Sequence, residues 1–564
     1  MADKKQNKMM LLLCVVGVSF VSCDVFTSMA RIKDMVINEL QILNKIKSAV
    51  PELISPEHRD LYNFYKRRIE EIQGRNLTQE LERLNHPNGA YYIIQEYAMS
   101  YQPLRQAVIA SGKPNALTAM AEIADDEDVS GAQASLLRLQ EVFTLNPEDM
   151  IKGNYLKYKG PALNSTDCYF VGKRAFEIGK YHMGEKWLTI ALELKKKERK
   201  PDPNVQVPTN FGQVGGEAPK DDPAPEAWIR GLLGRTLLRV GEIERARELY
   251  RTLTPADHAF GDVYSFGQEL QNVPRVESDN TSKDLKDFYR LCSLQSKTVG
   301  KFAGDPRLKC RYVSVYLPYF RFNEEIVSNL PYVSLFYEVI SNREADAIKQ
   351  EAISKMFRGG IVGSSGHLIS AVRTSHIAFI EDRESKVAKF ISKRINLLTK
   401  LETKINDKGF HGDHQSAAEP LQVVNYGLGG HYSIHMDHYE SRTTDTSRIL
   451  DYSGNRMATF LIYLTDVERG GSTAFPRADL VVSPVKRSAV FWYTFKPDGS
   501  VDDLTLHAGC PVLVGEKWII NKWVLTKGNS FTRRCGLKKN ATQLDIDPEM
   551  RRGYKPKRKK KMAR

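Results

Sequence analysis

The sequence predicts an α+β multidomain chain with a helical N-terminal half and a C-terminal antiparallel sandwich or jelly roll. Three observations carry this. At 564 residues the chain is too long for one core. Its first half repeats apolar residues at steps of three and four, most clearly in Met29, Ile32, Val36, Leu40, Leu43, Ile46 and Val50. After Leu421 the texture changes to short β-rich runs, Leu421–Tyr426, Ala458–Leu464, Ser488–Thr494, Pro511–Val514 and Trp518–Val524, separated by Gly, Pro and Asp. Short strands at this spacing suit stacked antiparallel sheets.

The first 23 residues read as a secretory signal: Lys4, Lys5 and Lys8 precede an apolar run, Met9–Val21, and small residues follow. As a helix that run rises only about 20 Å, against a bilayer core of roughly 30 Å, although an uncleaved anchor remains an alternative. Nothing later in the sequence is apolar enough to span. Secretion sets the reading of the cysteines. In an oxidising lumen Cys292–Cys310 and Cys510–Cys535 are plausible disulfides, and Cys168 is left as a buried thiol. Sequons at Asn76, Asn164, Asn280 and Asn540 fit the same compartment. The net charge of +14 is concentrated in the basic end of a tail over 537–564, read as solvated and disordered; behind a signal, nucleic acid is not expected as a partner.

Residues 24–140 read as a helical assembly region. Pro51 interrupts the first stripe and a charged helix follows near Leu61–Ile72. A narrow stripe suits pairing with another chain or packing onto its own domain. Between 141 and 258 a weak repeat appears: Gly172, Gly179, Tyr181 and Gly184 recur 62 residues on as Gly234, Gly241, Ile243 and Ala246. Small residues there let antiparallel helices approach, and the unit resembles tetratricopeptide repeats, which bind peptides. Tyr169, Phe176, Tyr181 and Trp187 are either core or a platform for prolines. Lys200–Glu226 reads as a loop and 259–329 as a linker holding Cys292 and Cys310. Helical periodicity from Leu330 to Ile348, and from Ser385 to Ile405, opens a unit over 330–536.

The chemistry sits in Asn425-Tyr-Gly-Leu-Gly-Gly-His-Tyr-Ser-Ile-His435-Met-Asp437. Side chains two apart on a strand share a face, so His435 and Asp437 point together. With one later imidazole they make a 2-His-1-carboxylate set suited to Fe(II), with positions left open for a bidentate oxo-acid and O2. His507 is the best third ligand. Ten residues on, Lys517 can pair with the far carboxylate of an oxo-acid, because a buried cation needs an anion.

With these residues in place, the C-terminal third resembles the catalytic domain of prolyl 4-hydroxylases, and the whole chain resembles the collagen prolyl 4-hydroxylase α subunits. The matching runs include Leu421–Gly430, Gly470–Pro476, Ala489–Tyr493, Cys510–Gly515 and Lys517–Trp523. The resemblance implies iron at His435, Asp437 and His507, and 2-oxoglutarate on Lys517 with Tyr426 nearby. It implies peptide held near the iron by Arg373 and Ser375, and a proline pocket lined by Tyr432, Arg456 and Trp523. It also implies ascorbate as the reductant that rescues iron, a peptide-binding module containing Tyr181, and residence in the endoplasmic reticulum lumen. Assembly with protein disulfide isomerase as an α2β2 tetramer, self-association through the N-terminal helices and procollagen as substrate follow from the same resemblance. The sequence departs from the pattern at Leu525, where relatives often carry a His that assists 2-oxoglutarate handling, and at Phe379, where a Trp is common. Two other readings stay open: a hydroxylase with a different secreted target, and a chaperone-like subunit that binds proline-rich chains without turnover.

Overall fold

The computed structural model describes residues 25–198 and 224–546, less 256, 258–260, 277–280, 295–298, 301–309, 315–320, 364–365, 369–371, 409–413, 441–443 and 539–540. The signal segment, most of the Lys200–Glu226 loop, Asn280, Asn540 and the basic end of the tail lie outside these residues. No helix among the described residues is long and apolar enough to cross a membrane.

The N-terminal half is helical. α1 (Met29–Ala49) begins at Ser28, whose hydroxyl accepts from the Arg31 amide. Its apolar stripe is spent inside the chain: Ile32, Val36, Leu43, Ile46 and Val50 are fully buried. α2 (Arg59–Gly74), α3 (Pro87–Ser100) and α4 (Asp126–Phe143) follow. Beside the stripe, Glu39 is buried between α1, α2 and α3. Its carboxylate pairs with Arg68 Nε and Arg75 Nη1, both at 2.6 Å, and accepts from the Tyr97 and Tyr101 hydroxyls. Four donors satisfy one buried acid, which is what permits its burial.

The repeat resolves into helix pairs, α5 (Ser165–Glu177) with α6 (Tyr181–Glu198) and α7 (Glu226–Val240) with α8 (Ile243–Arg251). Gly172 lets Leu188 of α6 approach, since a Cβ there would stand 2.7 Å from it. The equivalent Gly234 accommodates Phe266 of α9 (Gly261–Gln271), where a Cβ would stand 2.2 Å away. The helical unit thus runs past the expected boundary at 258. Tyr169 and Trp187 are core, while Phe176 and Tyr181 are partly exposed and pack edge-on at 5.4 Å.

α10 (Lys283–Ser293) leads into the β region, and α11 (Asn342–Ile353), α12 (Lys386–Thr399) and α13 (Thr444–Tyr452) are set among its strands. The strands are β1 (Val299–Gly300), β2 (Cys310–Ser314), β3 (Arg321–Asn329), β4 (Tyr332–Tyr337), β5 (Phe357–Arg358), β6 (His376–Ile380), β7 (Leu421–Tyr426), β8 (Tyr432–His435), β9 (Arg456–Tyr463), β10 (Thr473–Phe475), β11 (Leu480–Val482), β12 (Ala489–Tyr493), β13 (His507–Gly509) and β14 (Lys517–Leu525). A nine-stranded sheet has the order β2-β3-β4-β12-β9-β14-β7-β6-β5, and a five-stranded sheet the order β8-β13-β10-β11-β1. Every named pairing in them is antiparallel. One face of the large sheet packs on α11 and α12, with Phe460, Ile462 and Ile520 in that core. The other face, with Val424, Leu461 and Ile519, joins Phe475, Leu480 and Val482 of the small sheet.

Three expectations change. Cys310–Ser314 and Arg321–Asn329 are strands of the large sheet rather than linker, so the β unit starts before 330. Tyr332–Tyr337 is strand, not helix: it is a run of aromatic and branched residues, buried on both faces between β3 and β12. The disulfide is Cys292–Cys510, with the Cα atoms 5.5 Å apart. The expected Cys292–Cys310 and Cys510–Cys535 pairs do not form. α10 lies against β10 and brings Cys292 to the residue following β13, whereas Cys310 starts an outer strand and is exposed, as is Cys535. Cys168 is a buried free thiol, as expected.

Removing the acid from the Glu39 cluster takes from Arg68 and Arg75 their shortest and most buried ion pair, leaving Arg68 its pairs with Glu71 and Glu96 and Arg75 its pair with Glu80. Glu39→Ala is expected to destabilise the helical half by about 3–5 kcal/mol in denaturant titrations. On the opposite, half-exposed face of the same helix, Ile37→Ala should cost no more than about 0.5 kcal/mol.

Candidate active site

The small sheet sets two imidazoles side by side, their centroids 4.2 Å apart and their planes tilted by 54°. His435 ends β8, His507 begins β13, and the two are register partners. Asp437 lies in the bend after β8 rather than on the strand as the spacing suggested, yet it still reaches the same point. One ligand atom from each of the three lies within 4.8 Å of the others. Asp437 stands 3.8 Å from His435 Nε2 and 3.6 Å from His507 Nε2.

The tautomers follow from the outer bonds. His435 Nδ1 lies 2.8 Å from the Ser433 carbonyl and His507 Nδ1 2.9 Å from that of Thr505. A carbonyl only accepts, so both Nδ1 atoms carry the proton and both Nε2 lone pairs face inward. Burial, with His507 beside it, pushes His435 down to about 3 and keeps it neutral. Burial works against the Asp437 carboxylate, but His507, His435, Arg456 and the Thr459 hydroxyl, which donates to Oδ2 at 2.5 Å, hold its pKa below the ordinary value. Two imidazoles presenting Nε2 and one carboxylate gathered at a single point can hold a divalent metal in a facial set.

Across the site, Lys517 begins β14 opposite Tyr426, the last residue of β7. Its ammonium is fully buried, lies 4.8 Å from the Tyr426 ring centroid and has no hydrogen-bond partner. Burial alone pushes its pKa down to about 7. A Cβ added at Gly509 would stand 3.7 Å from both Lys517 Nζ and Tyr426 Oη, so these donors converge on one space. A buried ammonium and a phenol without an anion between them fit a carboxylate ligand.

A third group walls the opening. Tyr432 stacks on His435 with centroids 3.6 Å apart, and the Arg373 guanidinium lies 4.7 Å from the Tyr432 ring centroid. Arg373 also donates to Ser375 Oγ at 3.2 Å and Gln422 Oε1 at 3.0 Å. Arg456 lies 3.7 Å from a Trp523 ring centroid. Tyr181 stands apart from this group, on α6, as do Tyr169, Phe176 and Trp187 on the same helix pair. Leu525 is fully buried against Ile405 and Ile449.

Sequence reasoning missed Glu419, Tyr439 and Thr459. Glu419 grips Arg456 through two bonds, at 2.5 and 2.8 Å, and accepts from the Tyr439 hydroxyl at 2.9 Å. No motif marks Glu419. The signal that could have found it is the buried arginine itself, which demands a nearby acid. Thr459→Val keeps the shape and removes the donor to Asp437. Metal affinity, read by anaerobic titration, is expected to fall about 10- to 100-fold. An unchanged affinity would show that Thr459 does not hold the carboxylate.

Two family descriptions match the chain. "Prolyl 4-Hydroxylase alpha-subunit, N-terminal region" covers residues 28–157, and "2OG-Fe(II) oxygenase superfamily" covers residues 421–525, which contain the site. Human prolyl 4-hydroxylase subunit alpha-3 is 30% identical over 537 residues, spanning 86% of this chain and 93% of that protein. Chicken prolyl 4-hydroxylase subunit alpha-2 is 29% identical, spanning 91% and 95%. Prolyl 4-hydroxylase subunit alpha-1 of Caenorhabditis elegans is 28% identical, spanning 93% of each. Likeness over nearly the whole length of both partners, with the oxygenase match centred on the three-residue cluster, places this chain in the prolyl 4-hydroxylase α-subunit family.

Proposed function

We propose that this chain hydroxylates proline C4 in X-Pro-Gly sequences of collagen-like chains, as a procollagen-proline 4-dioxygenase α subunit. The single observation that carries the reading is the His435–Asp437–His507 cluster, with Lys517, a buried ammonium without a hydrogen-bond partner, on the neighbouring strand end. Iron(II) held by that set would, with 2-oxoglutarate and O2, supply the oxidising chemistry, one oxygen atom of O2 going to hydroxyproline and the other to succinate as CO2 is lost. Lys517 and Tyr426 hold the far carboxylate of the oxo-acid. Tyr432 and the Arg456–Trp523 stack form flat walls for a proline ring, while Arg373 and Ser375 steady the peptide beside it. The buried walls keep water from the reacting carbon. Ascorbate is the reductant for iron oxidised in uncoupled turnovers.

We read the two packed sheets as a double-stranded β-helix, and the α5–α9 helices as a tetratricopeptide-like module that binds peptide. Tyr181 and Phe176 are among its partly exposed aromatics, with the Arg235 guanidinium 4.8 Å from the Phe176 ring centroid. Such a module holds long repetitive chains through many weak contacts. The partner subunit in this reading is protein disulfide isomerase, in an α2β2 assembly in the endoplasmic reticulum lumen after signal removal. Self-association through the N-terminal helices uses faces other than the buried stripe of α1. Asn76 and Asn164 are exposed and cap helices through their side-chain oxygens, which a glycan on the amide nitrogen would leave in place.

The direct test co-produces the chain with the isomerase and supplies Fe(II), 2-oxoglutarate, ascorbate and (Pro-Pro-Gly)n. A mass gain of one oxygen per modified proline, lost in His435→Ala, is expected. Peptide binding without oxygen addition and without succinate would instead favour the chaperone reading. The state of Lys517 adds a pH dependence. The protonated amine is the form that binds, so with its pKa at about 7 the affinity for 2-oxoglutarate should be flat below neutrality. Above it, affinity should fall by up to about tenfold per pH unit.

A further inference from the structure

The two residues that face the oxo-acid are backed by a second pair on the other side of the same strands. Tyr426 and Lys517 are register partners, so Asn425 and Glu516, one residue earlier in each case, point outward. There they meet the start of α1. Asn425 Oδ1 accepts from the Ser28 hydroxyl at 2.6 Å and the Ala30 amide at 3.0 Å. Its Nδ2 donates to Glu516 Oε1 at 3.2 Å and to the Lys517 carbonyl at 3.4 Å. The Glu516 carboxylate also takes the Trp518 indole N–H at 2.7 Å and the Lys33 ammonium at 2.5 Å. The backbone continues the clamp, because the Gly427 and Leu428 amides donate to the Thr27 and Phe26 carbonyls at 2.9 and 3.2 Å. Gly427 is required at that approach: a Cβ would stand 2.0 Å from the Phe26 oxygen.

We propose that the first turns of the N-terminal helix are a positioning element for the oxo-acid end of the site. Ser28 and Lys33 act through Asn425 and Glu516 to fix Tyr426 and Lys517. The need is local. Tyr426 is the last residue of β7 and Lys517 the first of β14, so the ladder between them has no bonds beyond this pair and its end is free to fray. The donors that must converge on a carboxylate sit on that end, and small displacements of such groups are costly to binding. The inference rests on reading Lys517 as the partner of the oxo-acid carboxylate.

The test uses the full chain with its isomerase partner and the variants Asn425→Ala, Ser28→Ala and Lys33→Ala. Binding of 2-oxoglutarate is followed by calorimetry with manganese(II) in place of iron, and KM is measured separately for 2-oxoglutarate and for peptide. Asn425→Ala and Ser28→Ala are expected to weaken 2-oxoglutarate binding about three- to tenfold, with peptide KM held within about twofold. Ser28→Thr, which keeps the hydroxyl, should restore it. If Asn425→Ala does not fold, Ser28→Ala and Lys33→Ala decide the matter. Unchanged 2-oxoglutarate affinity in those two variants, or an equal loss for both substrates, overturns the proposal. Lys517→Ala separates the two claims. Retained binding in that variant refutes the assignment of Lys517 itself. Lost binding there, with normal binding in the clamp variants, refutes the clamp alone.

Discussion

The antiparallel register between β8 and β13 is the constraint from which the site follows. It sets His435 directly across from His507, and each ring is then fixed by a carbonyl two residues upstream on its own segment. Asp437 needs no strand of its own. It is steered from the opposite sheet by Thr459, so the three side chains meet where the two sheets face one another. Shifting that register by one residue would turn one imidazole out of the cluster. The precision of the site is therefore borrowed from backbone hydrogen bonding, which is cheaper to hold than a constellation built on loops.

A second theme is uncompensated charge. Glu39 and Arg456 are buried ions whose partners are complete inside the chain. Lys517 is the contrasting case, more deeply buried than Arg456 and without a hydrogen-bond partner. The difference separates structure from function: a satisfied buried ion specifies packing, while an unsatisfied one in a cavity marks where a ligand of opposite charge completes the balance.

Much of this was legible in the sequence, for identifiable reasons. His435, Asp437, His507 and Lys517 could be found from chemical type and spacing, although Asp437 reaches the cluster from the bend after β8 and not by strand alternation. The β7, β9, β12 and β14 runs were recognisable from composition, with ends within two residues of those observed. What escaped depends on distant contacts. Tyr332–Tyr337 reads as helix by periodicity and is strand because β3 and β12 flank it. The disulfide follows the docking of α10 onto the small sheet rather than the nearness of cysteines in sequence. Glu419, Asn425 and Thr459 carry no local signature, since each owes its role to a neighbour brought up by folding.

The bond between Ser28 and Asn425 joins positions 397 residues apart. A ribosome delivers the first of these long before the second. The helix start must therefore wait for its bond to Asn425 until β7 has emerged, and for the contact of Lys33 with Glu516 until the chain has reached β14. Contacts of such long range form late and slowly. The Tyr426–Lys517 end of the site is thus among the last parts of the molecule able to mature, and a chain released before its final strand would carry a nearly complete helical half but lack Lys517.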